Sequence, residues 1–267
     1  MSAATVTVTM PAYDAEATLA EAVASVLAQT REDWELLIVD DGSNLPAAQA
    51  LADAGLEDPR IRTVRHDVNR GLGEARTTAL AHTRTPLLAH LDSDDRYEPR
   101  YLERLIPALD DPQVALAYPN VRIFGDTDEL YITDPSLHPA DRFPALALSN
   151  PIPNFTVVRR ACIEQVGGYA RFTWGAMDWY LYLRLAGAGW KFAYVDEVLA
   201  HYRWSDLSMS KDWDRVQRSN LAVLTHFMLH HPFVRGPHRR AARLAAREAA
   251  RRVPGVAAVK GRLDARR

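Results

Sequence analysis

The sequence predicts an α/β fold in which helices flank a doubly wound sheet, and three features support this prediction. Segments of strand and helix character alternate through residues 5–119. The run ELLIVD at 35–40 is almost continuously apolar, as expected of a strand buried on both faces of a parallel sheet. Acidic residues follow two predicted strands directly, at 40–41 and 92–95, which is where ligands of such sheets bind.

The predicted elements are regular in the first half of the chain and less so in the second. The first helix has apolar residues at helical spacing, including Leu19, Val23 and Val26. Strands are predicted at 5–10, 35–40, 61–65, 87–92, 114–119 and 192–195. Helices are predicted at 15–28, 46–54, 71–82, 99–109, 161–166, 178–188 and 216–230, with small strands and loops in 120–155.

The segments that follow the strands carry the chemistry. Residues 11–14, 40–43 and 92–95 are polar and rich in carboxylates, and we expect them to line one site at the carboxyl edge of the sheet. The segment 92–95 places three aspartates in four residues, and their like charges repel one another unless a cation neutralises them. Oxygen ligands suit Mg²⁺ or Mn²⁺. A turn with an N-cap is the alternative, and it explains one aspartate better than three.

Three other features have both a functional and a structural interpretation. Asp41 offers a carboxylate that could accept the N–H of a nucleobase, but Asp-Gly is also a strong turn signal. The glycines of 69–76 precede a helix whose N-terminus could bind phosphate, with Arg70 or Arg76 adding charge, or they only form a tight turn. Asp178 opens a predicted helix, and the sequence alone favours an N-cap there.

Seven segments, taken in order, resemble the large inverting glycosyltransferase family 2, which has the GT-A fold. They are 10–14 (MPAYD), 24–30 (ASVLAQT), 39–43 (VDDGS), 69–76 (NRGLGEAR), 91–95 (LDSDD), 167–169 with 178–185 (GGY and DWYLYLRL), and 198–203 (VLAHYR) followed by Ser208 and Ser210. The resemblance implies a Rossmann-like, nucleotide-binding mixed sheet flanked by helices, with a C-terminal helical tail. It divides the chain into a nucleotide-sugar-binding half (1–119), an acceptor-binding half (120–232) and a basic tail (233–267).

On the donor side, the resemblance implies a role for each matching residue. Pro11, Tyr13 and Asp41 would hold the nucleobase, usually uracil, beside Asp14, where the family usually has Asn. Arg76 would lie near the donor sugar and the phosphates.

The resemblance also implies a metal site. Asp92 and Asp94, with Ser93 between them, would form the DxD motif and touch the ribose or donor sugar and the metal respectively. Asp95 is a further candidate ligand. His201 could also bind the metal, although packing at a strand end is the favoured interpretation.

The remaining implied roles concern catalysis and the acceptor. Asp178 would be the general base of the family's Glu-Asp pair, in which Met177 replaces the Glu. Arg203, Ser208 and Ser210 would lie on a loop that closes over the diphosphate. Trp174 and Trp179 are candidates for contacts with the acceptor, and core packing is the alternative for both.

The implied function is a metal-dependent, inverting glycosyltransferase that uses Mn²⁺ or Mg²⁺ and a UDP- or dTDP-sugar. Its acceptor would be a hydroxyl of a small molecule, a glycan or a lipid-linked compound. Non-processive transfer is expected because the Gln-x-x-Arg-Trp signature of polymer synthases is absent. The alternatives are a nucleotide-sugar-binding protein without catalysis, if Met177 reports a decayed site, and a sugar nucleotidyltransferase, although 11–15 is not the Gly-rich loop such enzymes carry.

Composition and charge indicate the compartment. Cys162 is the single cysteine, which excludes an intrachain disulfide, and we expect it to be a buried structural thiol. No signal peptide or membrane span is recognisable, so a cytoplasmic location is expected. The net charge is −2, but residues 235–267 carry +9 and the preceding 234 carry −11. This tail is interpreted as a solvated helix, with contact to an anionic membrane as the alternative, and no motif indicates nucleic-acid binding.

Overall fold

The computed structural model describes residues 4–131, 146, 150–171, 175–205, 208 and 211–230. The tail predicted at 233–267 lies outside these residues. The described strands are β1 (Val6–Ala12), β2 (Trp34–Asp40), β3 (Ile61–Arg65), β4 (Leu87–His90), β5 (Arg96–Tyr97), β6 (Val114–Gly125), β7 (Glu129–Tyr131), β8 (Val157–Arg159) and β9 (Lys191–Trp204). The helices are α1 (Leu19–Leu27), α2 (Ala47–Asp53), α3 (Leu72–His82), α4 (Tyr101–Leu105), α5 (Arg160–Gln165), α6 (Met177–Gly187) and α7 (Trp213–His230), with a 3₁₀ turn at Pro107–Leu109.

The strands form one mixed sheet in the order β3-β2-β1-β4-β8-β6-β9-β5, with β7 paired to β6. Strands β1, β2, β3 and β4 pair with one another in parallel, as the alternation of strands and helices predicts. Strand β8 runs antiparallel to both β4 and β6, while β6 and β9 are parallel. The first half of the chain is therefore the parallel half of the sheet, and β8 introduces the mixed half.

Strand β2 shows why its sequence is apolar almost throughout. Leu36 and Ile38 pack into the core that contains α1, whereas Leu37 and Val39 pack against α3 on the opposite face. Successive side chains of a strand point to opposite faces, so a strand covered on both sides needs apolar residues at both sets of positions. The prediction of a doubly covered central strand is confirmed.

The antiparallel strand β8 determines what lies beside the end of β4. Ala89 of β4 pairs with Val157 of β8, and the amide of His90 donates to the carbonyl of Thr156 at 3.0 Å. Because the two strands run in opposite directions, the residues that precede β8 lie next to those that follow β4. The segment 150–156 is thereby brought to the carboxyl edge of the parallel strands.

Strands β6 and β9 are longer than the predicted strands 114–119 and 192–195. The sequence predicts that the strand ends at Pro119, but register shifts on both sides of Asn120 allow β6 to continue past it. In β9 the acidic pair Asp196-Glu197 interrupts the apolar pattern. Asp196 accepts a hydrogen bond from Asn120 at 3.0 Å, and Glu197 pairs with Arg104, so these charges are satisfied without ending the strand.

Two predicted helices differ from the observed ones for local reasons. The helix predicted at 99–109 is divided into α4 and the 3₁₀ turn, because Pro107 has no N–H to donate to the preceding turn. The helix predicted to open at Asp178 begins instead at Met177, with Ala176 at the N-cap in the left-handed region (φ 56°). Asp178 is therefore not an N-cap.

Two further predictions concern the core and the membrane. Cys162 is buried in α5, and burial raises the pKa of its thiol, which agrees with a structural role. Within the described ranges, no helix has both the length and the apolar character needed to cross a bilayer.

Gly73 in the first turn of α3 is predicted to be intolerant of substitution. A Cβ at this position would lie 2.5 Å from the carbonyl oxygen of Ala170. Gly73→Ala should lower the free energy of unfolding by about 1–3 kcal/mol through overpacking, although alanine in an open helix is favoured over glycine by about 1 kcal/mol. Urea denaturation measures the change. Gly175→Ala is the control, because no atom of the described residues lies within 4 Å of a Cβ placed there. Equal stability of the two variants would contradict the prediction.

Candidate active site

The carboxyl ends of the parallel strands border a cleft of about 880 Å³. Its walls are the loop after β1, the start of α3, the turn after β4, the end of β9 and the start of α7. The sequence-predicted residues that line it are Pro11, Tyr13, Asp14, Asp41, Asp92, Ser93, Asp94, Arg203 and Ser208. All three segments that follow the strands therefore contribute residues to one cleft.

The turn after β2 is held by Asp40. Its carboxylate accepts the amides of Ser43 at 2.8 Å and Ala47 at 3.0 Å, and it also pairs with Arg65 at 2.9 Å. Burial alone would raise the pKa of Asp40, but these hydrogen bonds and the arginine outweigh it and lower the pKa. Gly42 completes the turn with φ 81°, where a Cβ would lie 2.6 Å from the backbone of Val68.

Asp41, the neighbour of Asp40, is held in a second set of contacts at the cleft. Its Oδ1 accepts the amide of Arg70 at 2.9 Å and lies 2.6 Å from Nδ1 of His66. Its Oδ2 accepts the amide of Gly71 at 2.7 Å. The other ring nitrogen of His66 lies 2.9 Å from the hydroxyl of Thr78. Since a carboxylate oxygen has two lone pairs, Oδ2 keeps capacity for one more donor.

The loop after β1 is tied to the loop after β2. Asp14 adopts a left-handed conformation (φ 45°), its amide donates to Oγ of Ser43 at 3.1 Å, and its Oδ1 accepts the amide of Asn44 at 2.7 Å. Tyr13 is half exposed on the cleft surface, and Pro11 lies at the end of β1. The aromatic ring of Tyr13 and the carboxylate of Asp41 therefore both border the cleft. Asp14 holds their two loops together.

A closed ring of hydrogen bonds joins Arg76, Asp92 and Asn154. Nη2 of Arg76 donates to Oδ1 of Asp92 at 3.1 Å, and Nη1 of Arg76 donates to Oδ1 of Asn154 at 2.9 Å. Nδ2 of Asn154 completes the ring by donating to Oδ2 of Asp92 at 2.8 Å. Burial works against the charge on Arg76, but the carboxylates of Asp92 and Asp178 outweigh it and raise the pKa of the guanidinium.

The turn after β4 separates Asp94 from Asp95. Asp94 lines the cleft, and burial, followed by the negative charge of Asp92, raises its pKa to about 6. Asp95 is fully buried, its Oδ1 accepts the amide of Arg203 at 2.8 Å, and it does not line the cleft. The structure therefore favours a role for Asp95 in joining β9 to the turn over the metal-ligand role suggested from the sequence.

Asp92 and Asp94 fit a divalent cation that is shared with a ligand. Among the described residues, no three His, Cys, Asp or Glu side chains are close enough to hold a metal by themselves. One or two carboxylates completed by substrate phosphates are, however, a common ligand set for Mg²⁺. The charge of Asp94 is disfavoured by burial and by Asp92, and a cation offsets both effects. The donor set therefore fits Mg²⁺ or Mn²⁺ bound together with a phosphate ligand.

Asp178 lies in the first turn of α6 and is itself partly buried. Nδ2 of Asn150 is 3.3 Å from its Oδ2. Burial is the main influence and raises the pKa of Asp178, and the opposing charge of Arg76 only partly cancels it. Met177, the residue before Asp178, is buried in the core at 2% exposure. A carboxyl with a raised pKa beside a buried arginine is suited to accepting a proton.

Four arginines line the cleft together with its carboxylates: Arg70, Arg171, Arg203 and Arg215. Nε of Arg203 donates to the carbonyl of Asp94 at 2.8 Å, and its guanidinium pairs with Glu21 and covers the ring of Phe124 at 4.5 Å. Arg203 was expected on a closing loop, but it lies in β9 because the strand continues to Trp204. These cations suit an anionic ligand in the cleft.

The other predicted residues lie elsewhere. His201 is in β9, its Nε2 pairs with Glu98, and it does not line the cleft, so packing and pairing are favoured over metal binding. Trp179 is buried, and its indole N–H donates to the carbonyl of Leu146 at 2.8 Å, which favours core packing over acceptor stacking. Ser208 lines the cleft, whereas Trp174 and Ser210 lie outside the described residues.

The prediction from sequence missed three residues of the site. His66 contacts Asp41, Asn150 contacts Asp178, and Asn154 contacts both Arg76 and Asp92. The rule that sites lie after parallel strands points to neither Asn150 nor Asn154, because both precede the antiparallel strand β8. The available signal is the run NPIPN at 150–154, in which two amide side chains flank prolines.

Comparisons with known proteins agree on one family. The sequence profile of Glycosyl transferase family 2 matches residues 7–167. The chain is 34% identical over 201 residues to the O-antigen biosynthesis protein RfbC of Myxococcus xanthus. It is 33% identical over 121 residues to the UDP-Glc:alpha-D-GlcNAc-diphosphoundecaprenol beta-1,3-glucosyltransferase WfgD of Escherichia coli. These alignments cover 72% and 45% of this chain, but only 15% of RfbC and 47% of WfgD.

Solved structures agree on the fold. The mannosyltransferase PcManGT from Pyrobaculum calidifontis, in complex with GDP-Man and Mn²⁺, has a TM-score of 0.67 at 17% identity, over 99% of this chain and 81% of that one. TarS 1–349 of S. aureus, in complex with UDP-GlcNAc, has a TM-score of 0.67 at 14% identity, over 93% of this chain and 81% of that one. At these identities the likeness shows the fold, and it confirms the predicted GT-A architecture.

Proposed function

This chain belongs to glycosyl transferase family 2, and from that premise we propose that it transfers a sugar from a nucleoside diphosphate sugar to an acceptor hydroxyl, with inversion at the anomeric carbon. One observation carries the proposal. Asp92, from the donor-side turn, and Asp178, the candidate base, both act on the buried guanidinium of Arg76. The residues expected to hold the donor and to activate the acceptor therefore interact with one buried cation, and of these three residues Asp92 lines the cleft.

We assign the donor to the cleft formed mainly by residues 1–119. The aromatic face of Tyr13 suits a base, and the remaining lone pair of Asp41 Oδ2 suits a base N–H, as uracil, thymine and guanine have. We expect the donor to be a UDP- or dTDP-sugar. Solved structures of similar fold bind GDP-Man and UDP-GlcNAc, so a purine and a pyrimidine base are both tested. Arg70, Arg171, Arg203 and Arg215 would face the diphosphate.

The metal proposed at Asp92 and Asp94 is Mn²⁺ or Mg²⁺. Its contribution when bound would be positive charge next to the departing diphosphate. The arginines of the cleft would serve the same purpose, because negative charge grows on the leaving oxygen as its bond to the sugar breaks. Arg203 is fixed for this task by its bonds to Asp94 and Glu21.

Asp178 is the proposed general base. As the acceptor oxygen bonds to the anomeric carbon, its proton passes to the carboxylate, and the bond to the diphosphate breaks on the opposite face. One displacement of this kind inverts the centre and needs one base, not the paired carboxylates of glycoside hydrolases. Asn150 orients Asp178, and Arg76 favours its ionised form. The side chain of Met177 is buried in the core.

A thermal-shift panel tests the donor assignment. UDP, dTDP, GDP and CMP are each compared with and without Mn²⁺. One diphosphate should raise the Tm by about 5–10 °C at a hundredfold excess over its Kd, since a ligand that binds only the native state stabilises it by mass action. The rise should require the metal. CMP, which lacks the β-phosphate, is the control, and no shift with any diphosphate under either condition would contradict the donor site.

Asp178→Asn tests the catalytic assignment. The variant should lose turnover by about 10²–10⁴-fold, since that is the usual contribution of a general base, while its nucleotide affinity stays unchanged. In the wild-type enzyme, kcat/KM should rise as the pH passes the raised pKa of Asp178, because the ionised form accepts the proton. Product NMR should show an anomeric configuration opposite to that of the donor.

Stability supplies the folding control for this variant. A carboxyl whose pKa is raised in the folded state costs stability once the pH exceeds its unfolded pKa, so Asp178→Asn should be at least as stable as the wild type at pH 7.5. The difference in the free energy of unfolding between variant and wild type should disappear as the pH falls below the ordinary pKa of an aspartate. Turnover that survives in a folded Asp178→Asn protein would remove Asp178 from the mechanism. Wild-type protein that binds a sugar nucleotide without turnover would favour the non-catalytic alternative.

A further inference from the structure

Asn154 is the third member of the ring that includes Arg76 and Asp92, and no sequence motif assigns it a role. We propose that Asn154 is a positioning residue that holds the Asp92 carboxylate in the orientation needed for the donor and its metal. The inference rests on the proposed function, because it concerns how the same cleft binds its donor. It adds to the donor site a residue that precedes the antiparallel strand β8.

The chemistry of the ring fixes how the amide of Asn154 is oriented. Arginine can only donate and an ionised carboxylate can only accept. The atom of Asn154 that faces Nη1 of Arg76 at 2.9 Å must therefore be its oxygen, and the atom that faces Oδ2 of Asp92 at 2.8 Å must be its NH₂ group. A flipped amide would lose both bonds. Among side chains of this length, asparagine offers a donor and an acceptor without depending on its protonation state.

Asn154 also determines how Arg76 and Asp92 meet. A guanidinium and a carboxylate commonly pair through two parallel hydrogen bonds. Here the asparagine takes one nitrogen of Arg76 and one oxygen of Asp92, so that a single bond of 3.1 Å joins the charged groups directly. Each oxygen of Asp92 receives one donor from the ring and keeps a lone pair, while the residue stays on the cleft wall. Without the amide, a two-bond pair with Arg76 would turn Asp92 away from this orientation.

The backbone supports the placement of Asn154. It precedes β8, whose antiparallel pairing with β4 sets Val157 opposite Ala89, and the carbonyl of Thr156 accepts the amide of His90. The side chain of Thr156 lies 2.8 Å from Nδ1 of the buried His90. The strand register thus brings Asn154 beside the turn that carries Asp92 before any ligand binds.

The test compares the affinity of the full chain for UDP with Mn²⁺ by calorimetry, or for dTDP or GDP with Mn²⁺ if the thermal panel selects one of them. Asn154→Ala should weaken binding by at least about tenfold, the usual lower cost of losing a residue that orients a metal ligand. Asn154→Asp should weaken it as much, because it keeps an acceptor for Arg76 but sets a carboxylate against Asp92. This second variant decides the question if Asn154→Ala does not fold.

Asn120→Ala is the matched control. Asn120 also bridges two side chains with its amide, donating to Asp196 at 3.0 Å and accepting from Tyr194 at 2.8 Å. Neither of these partners lines the cleft, whereas Asn154 bonds to Asp92 on the cleft wall. A residue that acts only through stability should lower the Tm without changing affinity, and we expect this of Asn120→Ala. Selective weakening by the two Asn154 variants supports the proposal.

Two results would overturn the proposal in distinguishable ways. If wild-type protein binds the diphosphate with Mn²⁺ and both Asn154 variants bind it equally well, or if Asn120→Ala weakens it as much, Asn154 has no positioning role and the proposed function stands. If wild-type protein binds none of the diphosphates, the donor site itself is wrong and the inference falls with it.

Discussion

The burial of one guanidinium organises this molecule. Arg76 is 4% exposed, and a charge removed from water must be paired and hydrogen-bonded to be tolerated. Asp92 and Asn154 supply its bonds, and Asp178 adds a second negative charge nearby. Removing one partner of a buried pair typically costs about 3–5 kcal/mol, because the other is left uncompensated. The chain segments that meet at Arg76 are therefore held together by the residues that the proposed chemistry requires.

Those segments come from distant parts of the sequence. Arg76 is in α3, Asp92 follows β4, Asn154 precedes β8, and Asp178 is in α6. Gly73 lets α3 approach the backbone of Ala170, which no larger residue would permit. The cluster thereby links the half proposed to bind the nucleotide to the half proposed to bind the acceptor, and it joins the proposed donor carboxylate to the proposed base through the guanidinium of Arg76.

The sequence predicts the parallel half of this site well and the mixed half poorly, and the reason is physical. In a parallel sheet every carboxyl end lies at one edge, so local patterns at 40–43 and 92–95 locate Asp41 and Asp94 in space. An antiparallel strand reverses this rule, so Asn154 reaches the same edge from the start of β8, and no local pattern marks it. The family resemblance proposes Asp178 as the base, whereas local propensity suggests an N-cap there. Strand β9 was predicted too short because its acidic pair is satisfied by long-range contacts that periodicity cannot show.

The most direct test of this account is a crystal structure of the protein soaked with UDP and Mn²⁺, with anomalous data collected at the manganese edge. We expect one manganese peak bonded to the carboxylate of Asp94 and to the diphosphate, with Asp92 still held by Arg76 and Asn154. A diphosphate bound in the cleft with manganese distant from Asp94, or with Arg76 withdrawn from Asp92, would contradict it.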